Sequence, residues 1–191
     1  MSTITIAGEN TKTFNFPGGE CQAAILPSDC ICDDSDYEKT KVITARITDS
    51  NGIMQLLLFT DALRRKGYKK IGLNLPYVPY ARQDRVCNPG EAHSLKVFAN
   101  LINAQKYEFV NVFDPHSDVT EAVLDNCLVE NNHFFVRRAL TSLGINRDTN
   151  FNLVSPDAGA YKKIFYLGKD IANLEFSFDI VNCNKERDTK T

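Results

Sequence analysis

No stretch of this 191-residue chain reaches the ~18 consecutive apolar residues that a membrane-spanning helix needs, so no span is expected. The first six residues lack the basic start and apolar stretch of a secretion signal. There is no excess of one charge: 22 Lys and Arg stand against 24 Asp and Glu, for a net charge of −2. That balance argues against binding nucleic acid or an anionic membrane through bulk charge, while leaving local basic clusters open. None of the 6 cysteines forms a Cys-x-x-Cys pair. With no secretion signal, reduced thiols in a cytoplasmic protein are expected. His93, His116 and His133 do not stand at finger-like spacing from the cysteines, which argues against a zinc site. Three glycine signatures are also missing: the G-x-x-x-x-G-K-[ST] loop of P-loop kinases, the G-x-G-x-x-G dinucleotide fingerprint and the G-x-S-x-G nucleophile elbow.

What is present is a foldable chain. Hydrophobic residues make up 43%, enough for a packed core in one large or two small domains. Up to residue 47 the pattern is of short strands and turns, with strands expected over 4–7, 21–26 and 42–47 and a glycine turn at Gly18-Gly19. The acidic segment 29–39, with Asp33, Asp34 and Asp36, reads as a solvated loop, since calcium-loop spacing is absent. The period then becomes helical. Ile53, Leu56, Leu57, Thr60 and Leu63 share a face, Asp49 or Ser50 can cap the start, and Gly67 can stop it. Strands at 69–75, 109–113, 151–155 and 176–181 alternate with helical patterns around 95–102, 119–125, 133–143 and 161–172. Such alternation predicts an α/β fold, a parallel sheet with helices on both faces. The polar stretch 146–150 is the best linker, giving domains over 1–146 and 147–191.

Four loops leaving strand carboxyl ends are dense in polar groups: 76–85, 114–118, 156–162 and 182–190. In parallel sheets this is the end where ligands bind. The first loop, Pro76-Tyr77-Val78-Pro79-Tyr80-Ala81-Arg82-Gln83-Asp84-Arg85, combines flat rings with two guanidiniums and suits a nucleotide. Gln83 and Asp84 suit a base edge or a ribose; a surface turn with ordinary ion pairs is the plainer alternative. His116, flanked by Asp114 and Asp118, suits a divalent metal or a phosphate, or is structural. Asp118 is equally placed to cap a helix with Glu121. Asp157 can hold Mg2+ through waters or cap the next helix. Lys162 and Lys163 start that helix, where a cation opposes the dipole unless an anion is near. Lys185 and Arg187 can close over a transition state, or belong to a frayed end.

Together these residues resemble the ribose-phosphate pyrophosphokinase family. Pro79-Tyr80-Ala81-Arg82-Gln83-Asp84-Arg85 is similar to its ATP loop, and Ser94-Leu95-Lys96-Val97-Phe98-Ala99-Asn100-Leu101 to the helix after it. Asp114-Pro115-His116-Ser117 resembles its Asp-Leu-His-Ala, and Val154-Ser155-Pro156-Asp157-Ala158-Gly159 its Ser-Pro-Asp-x-Gly, with Lys162 where that motif carries lysine. Asn184-Lys185-Glu186-Arg187 is similar to its flexible Asp-Lys-Arg-Arg, and Asp61-Ala62-Leu63-Arg64-Arg65 also fits. The resemblance implies two phosphoribosyltransferase-like α/β domains, the second incomplete here. It implies transfer of the pyrophosphoryl group of Mg-ATP to the anomeric hydroxyl of ribose 5-phosphate, giving phosphoribosyl pyrophosphate and AMP. Arg82, Gln83, Asp84 and Arg85 would bind ATP, His116 and Asp157 would serve Mg2+, and Lys162 would meet phosphate. Lys185, Arg187 and His116 would be catalytic. The turn Phe16-Pro17-Gly18-Gly19-Glu20 matches one that reaches a neighbouring subunit's adenine in the family, so Phe16 and Glu20 would join the ATP site of a homodimer or hexamer.

The departures are specific. Gly18 stands where the family has aspartate, Pro115 where it has leucine, and Glu186 where arginine follows the lysine. The family's sugar-phosphate loop, an acidic pair followed by threonine and glycines, does not occur; it is expected beyond Thr191, in a longer protein. The irregular N-terminal region and altered adenine turn resemble phage-encoded members, some of which use ADP-ribose as acceptor. That acceptor and a non-catalytic regulatory homologue are the alternatives to ribose 5-phosphate transfer.

Overall fold

The structure is a computed structural model that describes residues 2–26 and 37–184. Asp33, Asp34 and Asp36 of the acidic segment lie outside those residues, as do Lys185 and Arg187. The described chain forms two compact units, Met1–Glu130 and Asn131–Thr191.

The first unit holds the strands β1 (Thr3–Ile6), β2 (Thr11–Asn15), β3 (Cys21–Ile25), β4 (Lys41–Arg46), β5 (Ile71–Tyr77), β6 (Val110–Phe113) and β7 (Cys127–Glu130). Its helices are α1 (Ser50–Lys66), α2 (Ser94–Asn103) and α3 (Val119–Val123). One five-stranded sheet runs in the order β1-β4-β5-β6-β7, with β2 and β3 as a separate antiparallel hairpin. Only β1 is antiparallel to its neighbour; β4, β5, β6 and β7 are all parallel. The fold class expected from the alternating pattern is the one observed. Strand β7 escaped that pattern: its apolar run, Cys127-Leu128-Val129, is only three residues long and directly follows a helical stretch.

The strand chemistry follows position in the sheet. In β4, Ile43 and Ala45 are fully buried and alternate with half-buried Val42 and Thr44. In central β5, Ile71, Gly72, Leu73 and Leu75 are all buried, as a strand covered on both faces requires. The apolar run was expected to stop at Pro76, yet β5 continues through it to Tyr77. The register with β4 shifts between Thr44 and Arg46, an irregularity opposite the proline that accommodates its missing N–H.

Helix α1 buries Leu56, Phe59, Thr60 and Leu63, one stripe at helical spacing. The Asp49 carboxylate caps it by accepting from the Gly52 N–H at 2.8 Å. Gly67, at φ 110°, closes it: the Gly67 N–H donates to the Arg64 carbonyl at 3.0 Å and the Tyr68 N–H to the Leu63 carbonyl at 3.1 Å. That pair of bonds is a Schellman motif, and its left-handed residue explains the glycine. Helix α2 buries Leu95, Phe98, Ala99 and Ile102 in the same manner.

At the amino ends of these parallel strands, Glu9 fastens three elements. Its carboxylate, with a side chain only 1% exposed, meets Lys41 Nζ at 2.9 Å, Lys66 Nζ at 2.6 Å and the Tyr68 hydroxyl at 2.8 Å. Burial pushes this carboxyl up, but the hydrogen bonds from Lys66, Lys41 and Tyr68 outweigh it and hold it at about 2.

Gly72 marks a close approach. A Cβ built there would lie 2.3 Å from Cζ of Phe109. Gly72→Ala is expected to destabilise the unit by about 1–3 kcal/mol through overpacking. Urea denaturation of Gly72→Ala, Phe109→Ala and the double variant checks this: the two changes together should cost less than their sum.

The second unit contains α4 (His133–Ser142), β8 (Phe151–Ser155), α5 (Tyr161–Ala172) and β9 (Phe178–Asn182). Strands β8 and β9 pair in parallel, with Phe151 opposite Phe178 and Ser155 opposite Asn182. Leu140 of α4, Leu153 of β8 and Leu167 and Ile171 of α5 form its core. Because Leu140 packs there, α4 and the 146–150 segment lie inside this unit, and the division falls earlier than the expected break after residue 146. No helix among the described residues is long and apolar enough to cross a membrane.

Candidate functional site

Strand β5 delivers the 76–85 loop to the carboxyl end of the sheet, next to the 114–118 loop that leaves its parallel neighbour β6. Buried Val78 and Ala81, 3% and 8% exposed, anchor the first loop to the core. The Gln83 N–H donates to the Tyr80 carbonyl at 2.9 Å, and the Leu95 N–H to the Gln83 carbonyl at 3.3 Å, fixing the loop to the first turn of α2. Tyr80 at φ 61° and Asp114 at φ 40° hold left-handed backbone that non-glycine residues adopt at a cost. Asp114 directly follows β6, and Tyr80 lies within the 76–85 loop.

The two loops are joined by one carboxylate. Asp84 is buried, its side chain 3% exposed. The Ser117 hydroxyl donates to Asp84 Oδ2 at 2.6 Å, and Arg85 Nε donates to Oδ1 at 2.8 Å. His116 Nδ1 stands 3.8 Å from Oδ2. The hydrogen bonds from Arg85 and Ser117, in that order, outweigh burial and hold the Asp84 carboxyl at about 2. Sequence reasoning gave Asp84 to the nucleotide's base edge or ribose; the structure turns it inward instead. It also missed Ser117 as a partner, because no spacing in the chain announces a contact across 33 residues.

Around this clamp, Arg82 and Gln83 are exposed, and Arg85 keeps 73% of its side chain in solvent. Gln83 also borders a cleft of about 350 Å³ between the loop and the start of α1, with Tyr77, Tyr80, Thr48, Asp49 and Ser50 among its walls. Phe16 and Glu20 lie at the tip of the β2–β3 hairpin, closed by the Phe16 N–H donating to the Glu20 carbonyl at 2.8 Å. Phe16 is 49% exposed and stacks edge-on against Phe14. Asp118 stands before α3 but makes no side-chain capping bond, so the expected capping box is not formed.

In the second unit, Asp157 follows β8. Its Oδ1 accepts from the Ala160 N–H at 3.0 Å, and the Ser155 hydroxyl donates to its carbonyl at 2.8 Å. One carboxylate oxygen therefore shapes the turn into α5. Lys162, exposed, stands in the first turn of α5. Among the described residues, no three His, Cys, Asp or Glu side chains converge on a point that would hold a metal. A protein cage for a cation is thus absent among them. Magnesium is usually held by one or two carboxylates together with waters and substrate phosphates, a role the chemistry of Asp157 fits; His116 would offer a nitrogen instead.

Residues 3–105 match the family model for the N-terminal domain of ribose phosphate pyrophosphokinase. The chain belongs to the ribose phosphate pyrophosphokinase family. Relatives within it include the ribose-phosphate pyrophosphokinase of Thermococcus kodakarensis, 34% identical over 105 residues, which are 55% of this chain and 35% of the relative. That of Agrobacterium fabrum is 33% identical over 136 residues, 71% of this chain and 42% of the relative. The chain thus spans roughly two fifths or less of the length of these curated relatives. Among solved structures, phosphoribosylpyrophosphate synthetase from Mycobacterium smegmatis aligns with a TM-score of 0.73 over 94% of this chain and 58% of its own. At 20% identity, that likeness is one of fold.

Proposed function

We propose that the chain carries the donor side of a pyrophosphoryl-transfer site, binding Mg-ATP for transfer to ribose 5-phosphate. The observation that carries this reading is the Asp84–Ser117 bond. It holds an exposed arginine loop beside a histidine loop at the carboxyl end of adjacent parallel strands. Family membership supports the same chemistry.

In this reading Arg82 forks onto phosphate oxygens and Gln83 orients the nucleoside, while His116 faces the triphosphate. Magnesium would neutralise charge on the triphosphate; His116 in the first unit and Asp157 in the second would each offer a ligand to such an ion, completed by water and phosphate oxygens. The anomeric hydroxyl of ribose 5-phosphate attacks the β-phosphorus and loses its proton. The bond from the β-phosphorus to the oxygen bridging α and β breaks, and that oxygen leaves with AMP. Arg82, Lys185 and Arg187 stabilise the charge that develops, so positioning and electrostatics supply the rate. Phe16 and Glu20 reach the adenine of a second copy, and Lys162 meets a phosphate.

The test has two stages. Calorimetric titration of the 191-residue chain with Mg-ATP should show saturable binding. The full-length protein, given ATP labelled at the α-phosphate with ribose 5-phosphate and Mg2+, should then yield labelled AMP. Labelled ADP would instead indicate a single-phosphoryl kinase, and no binding at all would sink the reading.

A further inference from the structure

Asp84 is an expensive way to fasten a loop. A carboxylate with a side chain 3% exposed loses its hydration and has to be compensated by its partners. Arg85, whose own side chain is 73% exposed, supplies one hydrogen bond, and the others lie on the neighbouring loop. There the Ser117 hydroxyl donates at 2.6 Å and His116 Nδ1 faces the same oxygen at 3.8 Å. Imidazole has two unlike nitrogens. A fixed negative charge opposite one of them favours the proton there and leaves the lone pair on the other. The His116 side chain is 49% exposed, so the ring is reachable from solvent while its Nδ1 edge meets the buried carboxylate.

We infer that Asp84 is a positioning residue acting through His116. Its charge, 3.8 Å from Nδ1 and fixed in place by Ser117, selects the Nδ1–H tautomer, so that Nε2 presents its lone pair to a divalent cation carried by the donor's phosphates. This deepens the donor-site reading and rests on it for the identity of that cation.

The experiment reads the tautomer directly, without activity. In the 191-residue chain labelled with 15N-histidine, at alkaline pH where the rings are neutral, the nitrogen shifts of His116 should report Nδ1–H. In Asp84→Asn they should move toward Nε2–H, the form free histidine prefers, while His93 and His133 stay unchanged and confirm the fold. Ser117→Ala, which keeps the carboxylate, should retain Nδ1–H. Titration with Mn2+ in the presence of ATP, followed by the electron resonance of free Mn2+, should show affinity falling about tenfold in Asp84→Asn. Nε2–H in the unaltered chain overturns the proposal whatever the variants do, including a variant that fails to fold. A switched tautomer with undiminished Mn2+ affinity overturns the cation half. If the unaltered chain binds no Mn2+ with ATP, the donor-site reading fails while the tautomer result still decides the role of Asp84.

Discussion

Arg82→Ala is expected to weaken ATP binding by about 10- to 100-fold while leaving the melting temperature unchanged. Arg82 is exposed on the 76–85 loop, whose hold on the core comes from Val78, Ala81 and Asp84. Its removal therefore takes a charged hydrogen-bonding fork from the ligand and little from the fold. Hydrogen bonds to charged groups contribute about 1.5–3 kcal/mol, which at about 1.4 kcal/mol per factor of ten gives the stated range. Arg82→Lys keeps the charge but not the planar fork and should restore only part of the loss. Because the site is open to solvent, the difference between parent and variant should shrink as salt rises. Calorimetric titration at two ionic strengths measures all three. Arg85→Ala provides the contrast: it strips a partner from buried Asp84, so it should lower thermal stability as well as affinity. Equal affinities for Arg82→Ala and its parent would remove the loop from the binding site.

The second large effect is on stability. Glu9→Gln is expected to cost the Met1–Glu130 unit about 3 kcal/mol at neutral pH. The Glu9 carboxyl sits at about 2 in the folded chain against 4.5 for an ordinary glutamate. That gap corresponds to about 3 kcal/mol. Since the folded value is depressed, the unfolded chain takes up the proton first as acid is added. The stabilisation is complete above about 4.5 and is lost as pH falls from there through about 2. The variant lacks this ionisation, so its deficit relative to the parent should close over the same window. Urea denaturation at a series of pH values follows it. A deficit that stays constant down to pH 2 would show that the lost contacts, not the charge, carry the effect.

How much of this was legible in the chain depends on whether a signal is local. Helix α1 was: its stripe, its Asp49 cap and its Gly67 stop are each written within one or two turns of sequence. So were the loops at the carboxyl ends, because aromatic and guanidinium groups crowd into ten residues. Glu9 was not. Its partners Lys41, Lys66 and Tyr68 are distant in sequence, and a lone glutamate after a strand reads as solvated surface. Asp84 misled for the same reason, since a carboxylate between exposed Gln83 and Arg85 looks exposed until its contact with Ser117 is seen. The end of strand β5 shows a further limit. Pro76 reads as a terminator, but at the irregular end of a paired strand its missing N–H is tolerated.

The polarity of the parallel sheet has one more consequence. Glu9 and its lysines sit at the amino ends of the strands, and Arg82, Arg85 and His116 at the carboxyl ends. The seven residues of β5 between them span roughly 20 Å, more than twice the screening length of about 8 Å at physiological salt. Salt therefore largely screens the exposed guanidiniums of Arg82 and Arg85 from exposed charge at the other end, while the buried Glu9 carboxylate is screened less. Substitutions among the exposed groups at one end should change the potential at the other only weakly.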